Sequence, residues 1–133
     1  MIKAVIDTNV LVSALLSPNG CPAAIFDHVL NGSIVMCYDS RIISEYQEVL
    51  LRPKFGFDKK AVKHVINFII DSGLSIVPAP IREIFRDEDD RPFYEVAVSA
   101  GAYLVTGNVK HFPRDLVVIA PQEFLNNIDV DYK

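Results

Sequence analysis

The residues of this sequence that could do chemistry are carboxylates placed at the ends of apolar runs. Asp7 follows a short apolar run, residues 3–6, and precedes a second run with helical spacing, residues 10–16. The first run predicts a buried strand, and ligands of parallel α/β sheets bind where such strands end. Asp7 is therefore either a carboxylate at a binding crevice or a cap of the next helix, a common role of this residue type.

Two further acidic residues occupy comparable positions. Glu45 lies in the second turn of the helix predicted after strand two, beside its apolar face. Asp90 stands just before, or at the start of, the helix that leads to strand four, and Thr106 and Asn108 follow that strand directly. Polar groups that converge from separate segments at one rim of a sheet are the arrangement expected of a binding site.

Carboxylates held a few ångströms apart repel one another, and the repulsion raises at least one pKa unless a cation lies between them. Oxygen ligands around an incomplete shell suit Mg²⁺ or Mn²⁺. Such ions act on phosphodiesters by activating water and by neutralising charge on the phosphate. A hydrolase of this type requires no protein nucleophile.

The elements that must position these groups alternate along the chain. Strands are predicted at residues 3–6, 34–38, 74–77, 103–105 and 116–119, and helices at 10–16, 22–30, 42–50, 58–72, 93–100 and from Pro121 onward. This alternation implies βαβ units and a parallel sheet. We predict an α/β fold, a three-layer α/β/α sandwich with a central, mainly parallel sheet of about five strands, formed by one domain over residues 1–133.

Composition limits the classes of protein that fit. Half of the 133 residues are apolar and 23% are charged, as in globular proteins. The net charge of −4 argues against a protein that holds nucleic acid by a broad basic surface, but not against an enzyme that meets phosphates through a metal. Asp7 interrupts the N-terminal apolar run, and no uncharged apolar stretch reaches the ~18 residues of a membrane span. We therefore expect a cytoplasmic protein without membrane association.

Four motifs, taken in order, resemble the PIN-domain family, and most closely its VapC-type toxins of bacterial and archaeal toxin–antitoxin pairs. The motifs are Val5-Ile6-Asp7-Thr8-Asn9, then Ser40 and Glu45 followed by residues 48–55, then Asp87-Glu88-Asp89-Asp90 with Phe93, and finally residues 101–108. Together they span nearly the whole chain.

The resemblance implies a metal-dependent endoribonuclease that uses Mg²⁺ or Mn²⁺ and acts on RNA. Asp7, Glu45 and Asp90 match the family's first three acidic metal-site residues, so they are the expected catalytic residues and metal ligands. Family membership also implies an antitoxin protein as a possible partner and a possible homodimer.

One departure from the family's pattern concerns the fourth acid, which is expected at the position of Asn108 or of His111. Asn108 could still bind a metal through its amide oxygen, and His111 could contact a phosphate. Without a fourth charge, the use of one ion or two stays open. So does a second function, that of a PIN-like module that has lost catalysis and binds RNA or protein.

The neighbouring polar residues also have two interpretations each. Thr8, Asn9 and Thr106 could orient Asp7 or a substrate phosphate by hydrogen bonds, or they could serve local capping. A group of basic residues could position RNA, although a charged helix face is more often only solvated. This group consists of Arg52, Lys54, Lys59, Lys60 and Lys63.

Two other α/β classes fit less well. A phosphatase of the haloacid-dehalogenase type needs a second Asp two residues after the first, where this chain has Asn9. A response-regulator receiver needs a phospho-accepting Asp at the end of strand three, where this chain has Val77 and Pro78.

Overall fold

The structure, a computed structural model, describes residues 1–115 and 117–131, the last three by their backbone alone. The described strands are β1 (Ile2–Ile6), β2 (Ile34–Tyr38), β3 (Leu74–Ser75), β4 (Tyr103–Val105) and β5 (Val118–Ile119). The described helices are α1 (Thr8–Leu16), α2 (Cys21–Leu30), α3 (Ser40–Leu50), α4 (Lys59–Ser72), α5 (Arg91–Ala100) and α6 (Pro121–Asp131). Short 3₁₀ turns cover Pro53–Phe55, Glu88–Asp90 and Val109–His111.

The five strands form one sheet in the order β3-β2-β1-β4-β5, and every pair is parallel. The predicted α/β/α architecture is confirmed, with a sheet that is parallel throughout. The central strand β1 is followed along the chain by β2 on one side, whereas β4 lies on its other side. The strand order therefore reverses between β1 and β4, and ligands of open α/β sheets bind at the carboxyl ends of strands at such a switch point.

The register places the end of β1 beside the end of β4. Ile6 pairs with Val105, and the next backbone N–H, that of Asp7, donates to the Val105 carbonyl at 2.9 Å. The five residues of β2 are all buried, as expected of a strand covered on both faces. This rigid, buried pair of strand ends carries Asp7 and Thr106 to the switch point.

The prediction of strand three at residues 74–77 was too long. Only Leu74 and Ser75 form β3, the backbone N–H of Ile76 still donates to Tyr38, and Val77 is 96% exposed. Pro78 cannot donate to a strand ladder, so the edge strand ends and the chain leaves the sheet. Strand five was also predicted too long, because β5 covers Val118–Ile119, and Leu116 lies outside the described residues.

Tyr46 joins the three elements that carry the candidate acids. Its side chain is fully buried, and its hydroxyl donates to the carbonyl of Ile6, the last residue of β1. Its ring packs on Phe93 of α5, with the ring centroids 6.3 Å apart. Helix α3 is thus fixed against the end of β1 and the first turn of α5.

A second connection between α3 and α5 is ionic. The Arg41 guanidinium lies 2.7 Å from Asp39 Oδ2 and 2.9 Å from Glu95 Oε1. Glu95 is only 5% exposed, and its other oxygen accepts from the backbone N–H of Ile81 at 3.1 Å. The Arg41 charge therefore compensates a buried carboxylate that also holds the chain leaving β3.

Replacing Arg41 by methionine is expected to lower the free energy of unfolding by about 2–4 kcal/mol, because Glu95 would remain buried without its cation. Arg52→Met is the matched control, since Arg52 pairs with the exposed Glu48 at 3.4 Å and should cost less than about 1 kcal/mol. Urea unfolding in chelator-treated buffer measures both. Equal losses in the two variants would contradict the role of the Arg41 network.

Within the described residues, no single helix is long and apolar enough to cross a membrane. Helices α1 and α2 pass that test of length and composition only when they are taken together, and they bend by 94° between them.

Candidate active site

The carboxylate of Asp7 is held by Thr106 and does not cap α1. Asp7 occupies the N-cap position, but its side chain makes no capping hydrogen bond, and its backbone carbonyl accepts from Val10 and Leu11 instead. The Thr106 hydroxyl donates to Asp7 Oδ2 at 2.6 Å. Because Asp7 is 7% exposed and Thr106 is fully buried, this contact joins β1 to β4 at the switch point.

Glu45 is held from α1. The Thr8 hydroxyl donates to Glu45 Oε2, so the Thr8 side chain orients Glu45 and not Asp7. Asn9, the next residue of α1, is exposed. The Thr8 hydroxyl thus supports Glu45, whereas the Thr106 hydroxyl supports Asp7.

Asp90 lies at the junction of a 3₁₀ turn and α5. The turn is capped by Asp87, whose Oδ1 accepts from the Asp89 N–H at 2.9 Å and whose carbonyl accepts from the Asp90 N–H at 3.0 Å. Asp90 itself is half-buried, and its Oδ2 lies 3.9 Å from Nδ1 of His111. Asp87 thus shapes the turn, and Asp90 is the member of this acidic run that reaches toward β4.

The segment after β4 brings the last predicted residues to the same rim. The Asn108 N–H donates to the Thr106 hydroxyl at 3.0 Å, and its carbonyl accepts from the His111 N–H at 2.9 Å. The Thr106 hydroxyl therefore links Asp7 to the backbone that presents Asn108 and His111.

The pKa values of the three acids are all raised. Burial raises the pKa of Asp7, although the Thr106 hydroxyl opposes the rise. Burial and then the charges of Asp7, Asp89 and Asp90 raise the pKa of Glu45. Burial and then the charges of Asp7 and Asp87 raise the pKa of Asp90 to about 6, and His111 acts in the opposite direction. The charge of Asp7 thus raises the pKa values of both Glu45 and Asp90, and the charge of Asp90 raises that of Glu45.

The donor chemistry fits a hard divalent cation. Asp7 after β1, Glu45 on α3 and Asp90 before α5 supply carboxylate oxygens, and a cation bound among them would remove the repulsion that helps to raise the pKa values of Glu45 and Asp90. In the part of the chain that the structure describes, no three His, Cys, Asp or Glu side chains are already arranged as a metal-binding set. Asp7 and Glu45 instead accept hydrogen bonds from Thr106 and Thr8.

Sequence reasoning missed the part that Tyr46 plays. The sequence placed Tyr46 on the apolar face of α3, where it does lie. A tyrosine at a buried helical position needs a partner for its hydroxyl, and that requirement was the available signal. The partner is the carbonyl directly before Asp7, so Tyr46 positions the backbone of the site.

Removing the Thr106 hydroxyl tests how far it supports Asp7. Thr106→Val is expected to weaken Mn²⁺ binding by about 10–100-fold, because the Asp7 carboxylate, the metal ligand expected from the sequence, would lose the donor that orients it. Thr106→Ser keeps the hydroxyl and should bind nearly as the wild type does. Calorimetric titration of the chelator-treated proteins measures both, and wild-type affinity in Thr106→Val would contradict this role.

Comparisons with known proteins agree with the fold. A sequence profile of the PIN domain matches residues 3–110. "Uncharacterized protein MJ1680" of Methanocaldococcus jannaschii is 36% identical over 113 residues, which are 80% of this chain and 71% of that protein. The crystal structure of PAE2754 from Pyrobaculum aerophilum superposes with a TM-score of 0.63 at 16% identity, over 97% of this chain and 90% of that one.

Fold and site together define an α/β protein with a buried carboxylate at the switch point of a parallel sheet and two more acids on adjoining elements. The chain belongs to the PIN-domain family, as its motifs predicted. PIN domains are generally nucleases, and they typically use divalent metals.

Proposed function

We propose that this protein is a Mg²⁺- or Mn²⁺-dependent endoribonuclease in which Asp7, Glu45 and Asp90 hold the metal. The observation that carries the proposal is the shared field of these acids at the β1–β4 switch point, where the pKa of Asp90 is raised to about 6. Burial and the neighbouring carboxylates disfavour the charged form of Asp90, and a cation bound among these acids would relieve that cost.

The protein's own residues prepare the site in three ways. The Thr106 hydroxyl fixes Asp7, the Thr8 hydroxyl fixes Glu45, and Tyr46 holds the backbone on which Asp7 stands. A divalent cation bound there supplies an activated water and neutralises charge on the scissile phosphate. His111, exposed beside Asp90, would contact a phosphate of the substrate.

The missing fourth acid bears on the number of ions. Neither Asn108 nor His111 supplies a negative charge, and Asn108 offers only an amide oxygen. We therefore propose one firmly held ion, with any second ion bound weakly at the Asn108 side.

The biological setting is proposed from the sequence motifs alone. Their likeness to the VapC-type branch supports a cytoplasmic toxin of a toxin–antitoxin pair, with an antitoxin protein as its partner and a homodimer as its own assembly. Co-purification with the product of a neighbouring small gene, followed by size measurement, tests this setting independently of catalysis.

Two measurements on chelator-treated wild-type protein test the enzymatic proposal. Mn²⁺ titration at neutral pH should show binding, and cleavage of a mixed RNA sample should appear with Mn²⁺ or Mg²⁺ and stop with chelator. The alternative is a PIN-like module without catalysis, which the lack of a fourth acid favours. RNA or partner binding with neither metal uptake nor cleavage would establish that alternative and overturn the proposal.

A further inference from the structure

The connection between α3 and α4, taken with the start of α4, is the most basic part of the chain. Residues 52–63 contain five of the 13 basic residues and one of the 17 acidic residues, so this segment carries a formal charge of +4 and the rest of the chain −8. A polyanion is repelled by the acidic site and by most of the surface. This segment offers it an attractive region.

Two aromatic rings stand in the middle of this basic segment. Phe55 and Phe57 are stacked, with their centroids 6.0 Å apart and their planes at 27°. The Lys54 ammonium lies 5.0 Å from the Phe55 ring centre. Gly56 between them has φ +67°, a conformation that favours glycine and that turns the chain so that the two rings can meet.

The rings are anchored and yet accessible. Both are half-buried, because one part of each packs against the core while the rest faces solvent. The pair is thus a partly exposed aromatic surface on a basic segment, next to the Lys54 ammonium. Aromatic surface combined with a basic groove is the arrangement that binds single-stranded nucleic acid without reading its sequence.

Helix α3 connects this surface to the candidate active site. A groove of about 410 Å³ lies on one side of α3 and is lined by Gln47, Leu51, Lys59 and Lys63 among others. A cleft of about 330 Å³ is lined by other α3 residues, including Glu45 and Glu48, together with Asp89. Glu45 lies five residues, roughly 7.5 Å along the helix, before the end of α3 at Leu50, and Phe55 follows five residues later.

We propose that residues 52–63 form a platform that binds single-stranded RNA, with unpaired bases stacked on Phe55 and Phe57 and phosphates contacting Lys59, Lys60 and their basic neighbours. The inference rests on the proposed function, since it names an unpaired RNA strand as the substrate and this platform as its anchor beside the acidic site. An acidic protein segment could use the same charges, but it would not require a planar aromatic surface.

Anisotropy of a labelled, unstructured oligoribonucleotide of about 12 nucleotides tests the platform in chelator, where no cleavage interferes. Phe55→Leu/Phe57→Leu keeps the apolar packing and removes the ring faces, and it should weaken binding by about 5–150-fold. Lys59→Gln/Lys60→Gln should lower the salt dependence, the slope of log K against log salt, by about 1.4. The matched control Arg82→Gln/Arg86→Gln removes the same charge from exposed positions elsewhere and should bind as the wild type does.

The inference would be overturned if RNA binding were unchanged in the two platform variants, or if their loss of binding equalled that of the control. The platform would then be assigned to another occupant, such as an acidic protein. Undetectable binding by the wild type would overturn it as well. Cleavage by variants that still bind RNA normally would refute the platform and leave the proposed nuclease intact. Platform-dependent binding by a wild type that never cleaves would support the platform and refute the nuclease. Thermal unfolding confirms that each variant is folded.

Discussion

Asp7→Asn is expected to lower the rate of metal-dependent RNA cleavage by roughly 10³-fold or more, because the site would lose the charge that is proposed to bind the cation at its most buried position. Asn has nearly the shape of Asp, and its amide oxygen can still accept from the Thr106 hydroxyl. Burial raises the pKa of Asp7, so the charge itself does not stabilise the fold. The variant should therefore be folded and inactive.

The measurement is the initial rate of RNA cleavage at saturating Mn²⁺, together with circular dichroism to verify the fold. Asp87→Asn is the matched control, since Asp87 is exposed and caps the 3₁₀ turn through a contact that Asn can also make. It should cleave at nearly the wild-type rate. Full activity in Asp7→Asn under these conditions would refute the site assignment.

The positions of the acids were predictable because they follow local patterns. An apolar run that stops at Asp7 indicates the end of a buried strand, and the helical spacing around Glu45 places it one turn inside α3. In a parallel sheet the ends of such strands meet at one rim, so the convergence of Asp7, Glu45 and Asp90 followed from the fold class. The structure brings them into one electrostatic field.

The hydrogen bonds within the site were not predictable, because they join residues far apart in the chain. Thr106 is 99 residues from Asp7, and Thr8 is 37 residues from Glu45. The sequence around Asp7 could not separate capping from a role in the site, since either uses the same carboxylate. The pairing of β1 with β4 decides the question by placing a buried hydroxyl beside it.

The predicted length of strand three was wrong for a related reason. Leu74 to Val77 has the composition of a strand, but an edge strand has a partner on one side only. Its single partner β2 ends at Tyr38, which pairs with Ser75, so Val77 lies beyond the end of that partner, and Pro78 prevents the ladder from continuing. Local propensity predicts the strand's existence, whereas its length depends on the sheet.

Asp90→Asn is expected to have opposite effects on activity and on stability. The variant should lose most RNA cleavage, because a proposed metal ligand loses its charge. Without metal at pH 7, its free energy of unfolding should exceed that of the wild type by on the order of 1–2 kcal/mol. The reason is that burial and the neighbouring carboxylates raise the pKa of Asp90 from 3.8 to about 6. Each pKa unit corresponds to about 1.4 kcal/mol, and solvent screening reduces the total.

The raised pKa of Asp90 also determines how the stability difference between the variant and the wild type changes with pH. Below about pH 4, Asp90 is protonated in both states, and the two proteins should have the same stability. Between pH 4 and about 6, the unfolded chain releases its proton while the folded wild type retains it, so the wild type loses stability relative to the variant. Above pH 6 the difference should be constant. Urea unfolding in chelator from pH 4 to 8 measures it.

Saturating Mn²⁺ should reverse this order of stability. A cation that binds only the folded wild type stabilises it by mass action, and it also removes the repulsion that made Asp90 costly. The Asn side chain suits the start of α5 as well as Asp does, so a lost cap cannot account for the difference between the proteins. A variant that is less stable than the wild type in chelator at every pH would show that Asp90 has a structural role. A higher stability that Mn²⁺ abolishes would mean that the fold tolerates repulsion in order to keep a cation site.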